Sequence, residues 1–246
     1  MRTATVHIHG RAGDLLPAAR REAGFAVQFE LPCGLRDLLQ STGVPHVELG
    51  AVERNGMPVD YTAVVDDGDS VEAWSRYPLT TPPDDPTFVL DVHLGRLAHY
   101  LRLFGFDTRH HPVASDPDLA ACSLAEHRIL LTRDRGLLMR ADLEQASFIR
   151  TADPRAQITE VIDRFALRGL VTPLTRCLVC NGLLQETSRV AVEGEVPSSV
   201  WEQHTDFKRC GSCLRVYWQG SHHARMMRLV EETLSTAGDG TGSVPP

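Results

Sequence analysis

Three kinds of hydrophobic pattern follow one another along the chain. Over residues 1–78 apolar and polar positions alternate in short runs, the period-two signature of half-buried strands. Thr5-Val-His-Ile-His9 and Phe25-Ala-Val-Gln-Phe29 predict a strand pair, Gly34–Gln40 a short helix, and Val47–Gly50 with Ala51–Arg54 further strands. Asn55-Gly56 is a hairpin turn signal, and Asp66-Asp-Gly-Asp69 turns the chain into a last strand, Ser70–Trp74. The stretch from Pro78 to Pro86 holds four prolines and no apolar period, so residues 79–86 are expected to be a linker.

Beyond Thr87 the apolar runs become solid. Phe88-Val-Leu90 and Ile129-Leu-Leu-Thr132 read as strands covered on both faces, with Phe106–His110 and Ser147–Thr151 as two more. Between them Leu94, Leu97, Ala98, Leu101 and Phe104 repeat at i, i+3, i+4 and i+7, one buried helix face that leaves His93, Arg96 and Arg102 outside the stripe. Asp116-Pro-Asp-Leu119 opens a helix to about Glu126, and Asp153-Pro154 opens another carrying Ile158, Val161, Ile162 and Phe165. Strands alternating with helices predict an α/β unit with a parallel sheet. From Val171 the pattern changes again, to short strands and cysteines, and Gly238–Pro246 is expected to be disordered.

Length and composition fit this division. A chain of 246 residues suits two or three small domains, and a hydrophobic fraction of 42% is enough for real cores. No apolar stretch approaches the roughly 18 residues of a membrane helix, and the N-terminal residues lack the features of a secretory signal, so a cytoplasmic protein is expected. The net charge of −7 argues at first against a polyanionic partner. Its distribution does not: residues 1–86 hold 13 acids and 7 bases, residues 87–171 hold 11 of each, and residues 172–246 hold 8 and 7. A divalent ion among the acids of the middle segment would tip that segment positive. Lys208 is the sole lysine, a bias toward arginine that fits a GC-rich genome better than a function.

Asp91 and Asp134 each close an apolar run and each precede a helical pattern, which places acid at the carboxyl ends of a buried parallel sheet. Open parallel sheets put their chemistry there. Converging carboxylates repel unless a divalent cation sits between them, so Mg²⁺ or Mn²⁺ and phosphodiester chemistry are the first expectation. Simpler roles compete. Asp116 before Pro117 and Asp153 before Pro154 read as N-cap and N1 pairs, and Asp91 and Asp134 could cap the helices that follow. His110-His111 reads as a solvated pair, and a nucleophilic Ser221–His222 pair lacks the strand-turn-helix context that would support it.

Cys177-Leu-Val-Cys180 and Cys210-Gly-Ser-Cys213 are two knuckles whose spacing lets four thiolates close a tetrahedral zinc shell, with Gly182 and Gly211 supplying flexibility and Pro197–Trp201 inside an insertion. Disulfides or a redox dithiol are the alternative. A saturated shell has no open position, so this zinc is structural and catalysis lies elsewhere. Cys33 and Cys122 stand alone.

Two resemblances rest on these residues. The order β-β-α-β-β with Asn55-Gly56 and Asp66–Asp69 resembles the ubiquitin-like β-grasp modules related to sulfur carriers, although the chain runs into Arg76-Tyr-Pro78 where a carrier ends in Gly-Gly. Thr87-Phe-Val-Leu-Asp91, Leu94–Arg102, Arg128-Ile-Leu-Leu-Thr-Arg-Asp-Arg135 and the paired cysteines together resemble the Mut7-C RNase family, a PIN-like nuclease core with a zinc ribbon. The resemblance implies a three-part α/β chain: β-grasp at 1–78, linker at 79–86, nuclease domain at 87–171, zinc ribbon at 172–225, and a short helix with a tail at 226–246. It also implies metal-dependent RNA cleavage by Asp91, Asp116 and Asp134, assisted by Asp118. Arg96, Arg102, Arg133 and Arg135 would contact phosphate, and Tyr217 or Trp218 would stack bases unless packing claims them. The β-grasp module would offer a surface to a protein partner or screen the RNA path in cis. The rival is a catalytically inactive RNA- or protein-binding adaptor.

Overall fold

The computed structural model describes residues 1–235; the expected disordered tail, Gly238–Pro246, lies outside the described residues. Strands β1 (Arg2–His9), β2 (Phe25–Phe29), β4 (Leu49–Arg54), β5 (Met57–Val59) and β7 (Ser70–Ser75) form one sheet, in the order β2-β1-β7-β4-β5. β1 and β7 pair in parallel at its centre and the other pairs are antiparallel. Helix α1 (Leu35–Ser41) lays Leu35, Leu38 and Leu39 on the inward residues Ala4, Val6, Ile8, Val71 and Ala73. The two-residue strands β3 (Cys33–Gly34) and β6 (Val64–Val65) flank it. The expected hairpin forms at Asn55-Gly56, both in the left-handed region (φ 54° and 75°). One expectation is corrected: Val47 and Glu48 are not strand, and Leu49–Gly50 belong to the same strand as Ala51–Arg54. His46–Glu48 form a 3₁₀ turn and the strand begins at Leu49. This sheet crossed by one helix is the ubiquitin-like arrangement.

The second unit is a four-stranded parallel sheet, β8 (Thr87–Leu90), β9 (Asp107–His110), β10 (Ile129–Thr132) and β11 (Ala146–Phe148), in the order β11-β10-β8-β9. Its apolar runs are solid because both faces are covered. Phe88, Leu90, Ile129 and Leu131 pack under α2 (Gly95–Leu103) and α5 (Pro154–Arg164), while Val89 and Leu130 point the other way, under α3 (Asp116–Ala125) and α4 (Arg135–Leu138). The predicted α2 stripe is buried throughout. Arg102, placed outside that stripe by periodicity, is buried as well.

The third unit joins β12 (Leu184–Thr187), β13 (Phe207–Cys210) and β14 (Val216–Trp218) into an antiparallel sheet, and α7 (Ser221–Ser235) returns Leu229 and Val230 to the core of the second unit. Between β12 and β13 the insertion folds a short helix, α6 (Ser198–Gln203), over a small cluster of Val192, Val196 and Phe207.

The first two units are docked. Residues 139–146 between α4 and β11 leave backbone carbonyls that need donors, and side chains of the ubiquitin-like domain supply them. Gln40 donates to Met139, Arg36 to Ala141, Arg76 to Glu144 and Tyr77 to Ala146, with His46 bonded to Leu143 O. Leu79, inside the expected linker, donates to Arg164 O and packs on the core of the second unit. Glu48 enters the second unit itself and meets Arg164 and Arg150.

Candidate active site and metal centre

In the order β11-β10-β8-β9 the chain leaves β8 toward one side and returns through β10 on the other, so the topological switch point, where parallel sheets open a crevice, lies between their carboxyl ends. Asp91 follows β8 and Asp134 follows β10 by one residue. Thr132, at the end of β10, joins them: its hydroxyl donates to Asp91 Oδ2 at 2.7 Å, and its Oγ1 accepts from the Asp134 backbone N–H at 2.8 Å. Asp91 Oδ1 takes the His93 N–H at 3.2 Å, and Asp134 Oδ1 takes the Gly136 N–H at 2.7 Å, so each acid also caps the turn it opens. Asp91 is 5% exposed, while Asp134 is exposed. Among the described residues Asp91 has neutral hydrogen-bond donors and no ion-pair partner.

The other predicted residues divide. Asp116 opens α3 at the same edge, but it is not the cap: Ser115 is, in a capping box with Asp118, which leaves the exposed Asp116 without a side-chain hydrogen bond among the described residues. Asp118 is therefore occupied in capping. Asp153 caps α5 through the Ala156 N–H. Among the described residues no three acids at this edge bring ligand oxygens within 4.8 Å of one another.

The phosphate contacts expected of three arginines need correcting, because backbone carbonyls hold them. Arg102 donates to Thr108 O, Leu178 O and Val179 O and ties α2 to the ribbon. Arg133 reaches the carbonyls of Ile149, Arg150 and Thr151. Arg135 clamps Leu15 O at 2.9 Å and Gly43 O at 2.7 Å, across the boundary with the ubiquitin-like domain. Arg96 alone of the four is exposed with no partner among the described residues. Periodicity could not warn of this, since a buried arginine satisfied by carbonyls looks in sequence like a surface one.

Sequence reasoning also missed Thr132 and His110. Leu90 pairs with His110 across β8 and β9, so His110 stands beside Asp91 at the sheet edge, its Nε2 3.2 Å from Val92 O and its ring against Gly95. The signal was available, because His110 ends a strand as Asp91 follows one.

The four cysteines converge as expected. Their ligand atoms lie within 4.8 Å of one another, with Cys177–Cys213 at 3.6 Å and Cys180–Cys210 at 3.4 Å between sulfurs, near the ~3.8 Å edge of a tetrahedral zinc–thiolate shell. All are free thiols, so the disulfide alternative falls. The glycine argument needs amending. The left-handed residues are Asn181 (φ 70°) and Leu214 (φ 62°), each directly after a knuckle, whereas Gly182 is required by close approach: a Cβ there would stand 2.9 Å from Cys210 Sγ. Gly211 carries no such constraint.

Burial opposes ionisation of Cys177, but hydrogen bonds from the Cys180 backbone and from Tyr217 overcome it and draw the thiol down to about 6. Cys180 is pushed up to about 12 by burial and the neighbouring sulfurs. Four adjacent sulfurs thus resist joint ionisation until a cation binds. Tyr217 bonds here, its hydroxyl 3.1 Å from Cys177 Sγ, and Trp218 packs against the insertion; both are half-buried and line a pocket with Lys208 and His223. The first knuckle is pinned to the second unit: the Thr108 N–H donates to Asn181 Oδ1, and Asp107 takes both Asn181 Nδ2 and Arg176. Filling the four cysteines with Zn²⁺ and then stripping it with a thiol-competent chelator is therefore expected to release the β12–β14 sheet and to lower the melting temperature of the whole chain. Hydrogen exchange with and without restored Zn²⁺ checks this; unchanged protection in β13 would refute it.

Residues 86–230 match the family model described as Mut7-C RNAse domain, and residues 1–82 match the one described as Mut7-C ubiquitin. Neither a curated protein nor a solved structure was found to match the chain.

Proposed function

This chain belongs to the Mut7-C RNase family, with a Mut7-C ubiquitin domain in front of the nuclease unit, and from that premise we propose a divalent-metal-dependent ribonuclease acting at the Asp91–Asp134 crevice. The observation that carries the reading is Asp91, a carboxylate 5% exposed with no cation beside it among the described residues. Buried charges in proteins are paired or coordinate metals. Glu48 shows how this fold treats a buried acid with a structural task, since it meets two arginines. Asp91 is left for a cation from solution.

The donor set suits Mg²⁺ or Mn²⁺, which are held by one or two carboxylates and keep water and substrate phosphate as their remaining ligands. Asp91 and Asp134 would hold the ion, and Thr132 fixes the orientation of the first and the backbone of the second. Asp116, exposed and without a hydrogen-bonded side chain among the described residues, would turn toward the ion. When bound, the metal activates water for attack on phosphorus and offsets charge on the phosphate. The N-termini of α3, α4 and α5 follow strands of the same sheet, and their dipoles favour an anionic substrate at that edge. Arg96 supplies the remaining phosphate contact. The zinc of the four-cysteine centre has no open position and stays structural.

The adaptor reading draws on one observation, the commitment of Arg102, Arg133 and Arg135 to the architecture, which thins the basic surface. Labelled single-stranded and hairpin RNAs incubated with Mn²⁺ or Mg²⁺ separate the two. Cleavage that EDTA abolishes while four-cysteine zinc is retained supports the nuclease. RNA bound but uncut in either ion would establish the adaptor.

A further inference from the structure

The outer face of the ubiquitin-like sheet carries a second group of metal-ligating side chains. Along β1, Ala4, Val6 and Ile8 are buried in the core, so Thr5, His7 and His9 line the opposite face. β7 runs parallel beside it, with Glu72 opposite His7 and Trp74 opposite His9. One oxygen of Glu72 meets both imidazoles, its Oε2 lying 2.5 Å from His9 Nε2 and 3.5 Å from His7 Nδ1. The His7 and His9 rings are 3.9 Å apart between centroids, and His9 is stacked on Trp74 at 5.0 Å with 15° between the planes, which holds one ligand ring in place. The three side chains are each about one-third exposed, which gives an ion a path in.

A histidine–glutamate pair this exposed does little for stability. On the other side of Glu72, β4 places Glu53 directly opposite. Like charges facing across a sheet repel, and a cation at Glu72 relieves that repulsion. We propose that His7, His9 and Glu72 bind a divalent ion of the late first-row transition series, of which Zn²⁺ is the representative. Their ligand atoms lie within 4.8 Å of one another, and two imidazoles with one carboxylate is a donor set such ions take at about 2.0–2.2 Å. Mg²⁺, which prefers an all-oxygen shell, is not its ligand. Three protein donors leave one place for water or for a donor from outside the chain.

The test uses tag-free full-length protein with its four-cysteine centre already filled with zinc, titrated with Ni²⁺ by calorimetry and by NMR. One saturable equivalent should broaden the ring resonances of His7 and His9 and the indole of Trp74. The double variant His7→Asn/His9→Asn should lose that equivalent or bind it at least tenfold more weakly, with the fold intact by circular dichroism. Glu72→Gln, which keeps the bulk of the side chain, should weaken it too. His222→Asn/His223→Asn should leave it unchanged. Broadening elsewhere with none at His7 and His9, or an equivalent that survives in the double variant, would overturn the site.

Discussion

Asp91→Asn should lower the rate of Mn²⁺-supported RNA cleavage by on the order of a thousandfold, a loss equivalent to about 4 kcal/mol of barrier, and Asp134→Asn should do nearly the same. The size follows from what asparagine keeps and removes. At Asp91 it preserves the acceptor for the His93 N–H and a partner for the Thr132 hydroxyl; at Asp134 it preserves the cap on the Gly136 N–H. Asparagine ranks with aspartate as an N-cap, so local structure survives. What goes is the charge that would hold the ion. The accompanying stability result is diagnostic. Asp91 is a buried charge without a cation among the described residues, so removing the charge should leave the metal-free protein as stable as before or more so. Cleavage lost with melting temperature maintained supports a metal site; cleavage at the wild-type rate in both variants would sink it. Thr132→Val tests the bridge between them, since it removes one hydroxyl that serves both acids.

The sequence carried the strands of this sheet well, for a physical reason. Phe88–Leu90 and Ile129–Thr132 are buried on both faces, and only a covered parallel strand produces so short and solid an apolar run between polar signals. The acids at their ends followed from the same reading. The capping of α3 was displaced by one residue because Ser115 and Asp116 are both good caps, and the capping box with Asp118 decides between them only once the backbone is fixed. The arginines were legible as charges and not as contacts: carbonyls leave no trace in side-chain sequence, so Arg102, Arg133 and Arg135 looked free. The docking of the first two units was hidden in the same way. Its donors are ordinary polar side chains such as Gln40 and Arg36, and its acceptors are the carbonyls of residues 139–146. A proline-rich segment between two patterns says that the chain crosses over, and nothing about whether the units then touch.

That docking makes Glu48 the most sensitive position outside the crevice. The 3₁₀ turn His46–Glu48 carries its carboxylate into the nuclease unit, where it is 1% exposed. There it accepts two bonds from Arg164 Nη2, at 2.8 and 3.0 Å, one from Arg150 at 3.1 Å and one from the Phe148 N–H at 2.7 Å. Arg164 is itself buried and also lies over the Tyr77 ring at 4.7 Å. Glu48→Ala takes the acceptor from Arg164 Nη2 and from the Phe148 N–H and leaves Glu160, 3.4 Å from Arg164 Nη1, as the remaining carboxylate; breaking a buried pair from one side costs about 3–5 kcal/mol. For a chain of this size the melting temperature should fall on the order of 10 °C. Glu48→Met/Arg164→Met should recover much of that loss, because apolar side chains of similar volume replace a buried pair at little cost. A single variant as stable as wild type would mean that the two units are not joined through this contact in solution. The same chemistry bears on whether the ubiquitin-like domain screens RNA from the crevice. Deleting residues 1–86 would strip Arg164 and Arg150 of Glu48, so lost cleavage would report misfolding and not inhibition. The cleaner probe is Arg135→Gln, which loosens the clamp on Leu15 and Gly43 one residue from Asp134 while leaving Glu48 in place. Faster cleavage with an unchanged melting temperature identifies the domain as a screen over the crevice, and an unchanged rate assigns it a structural role.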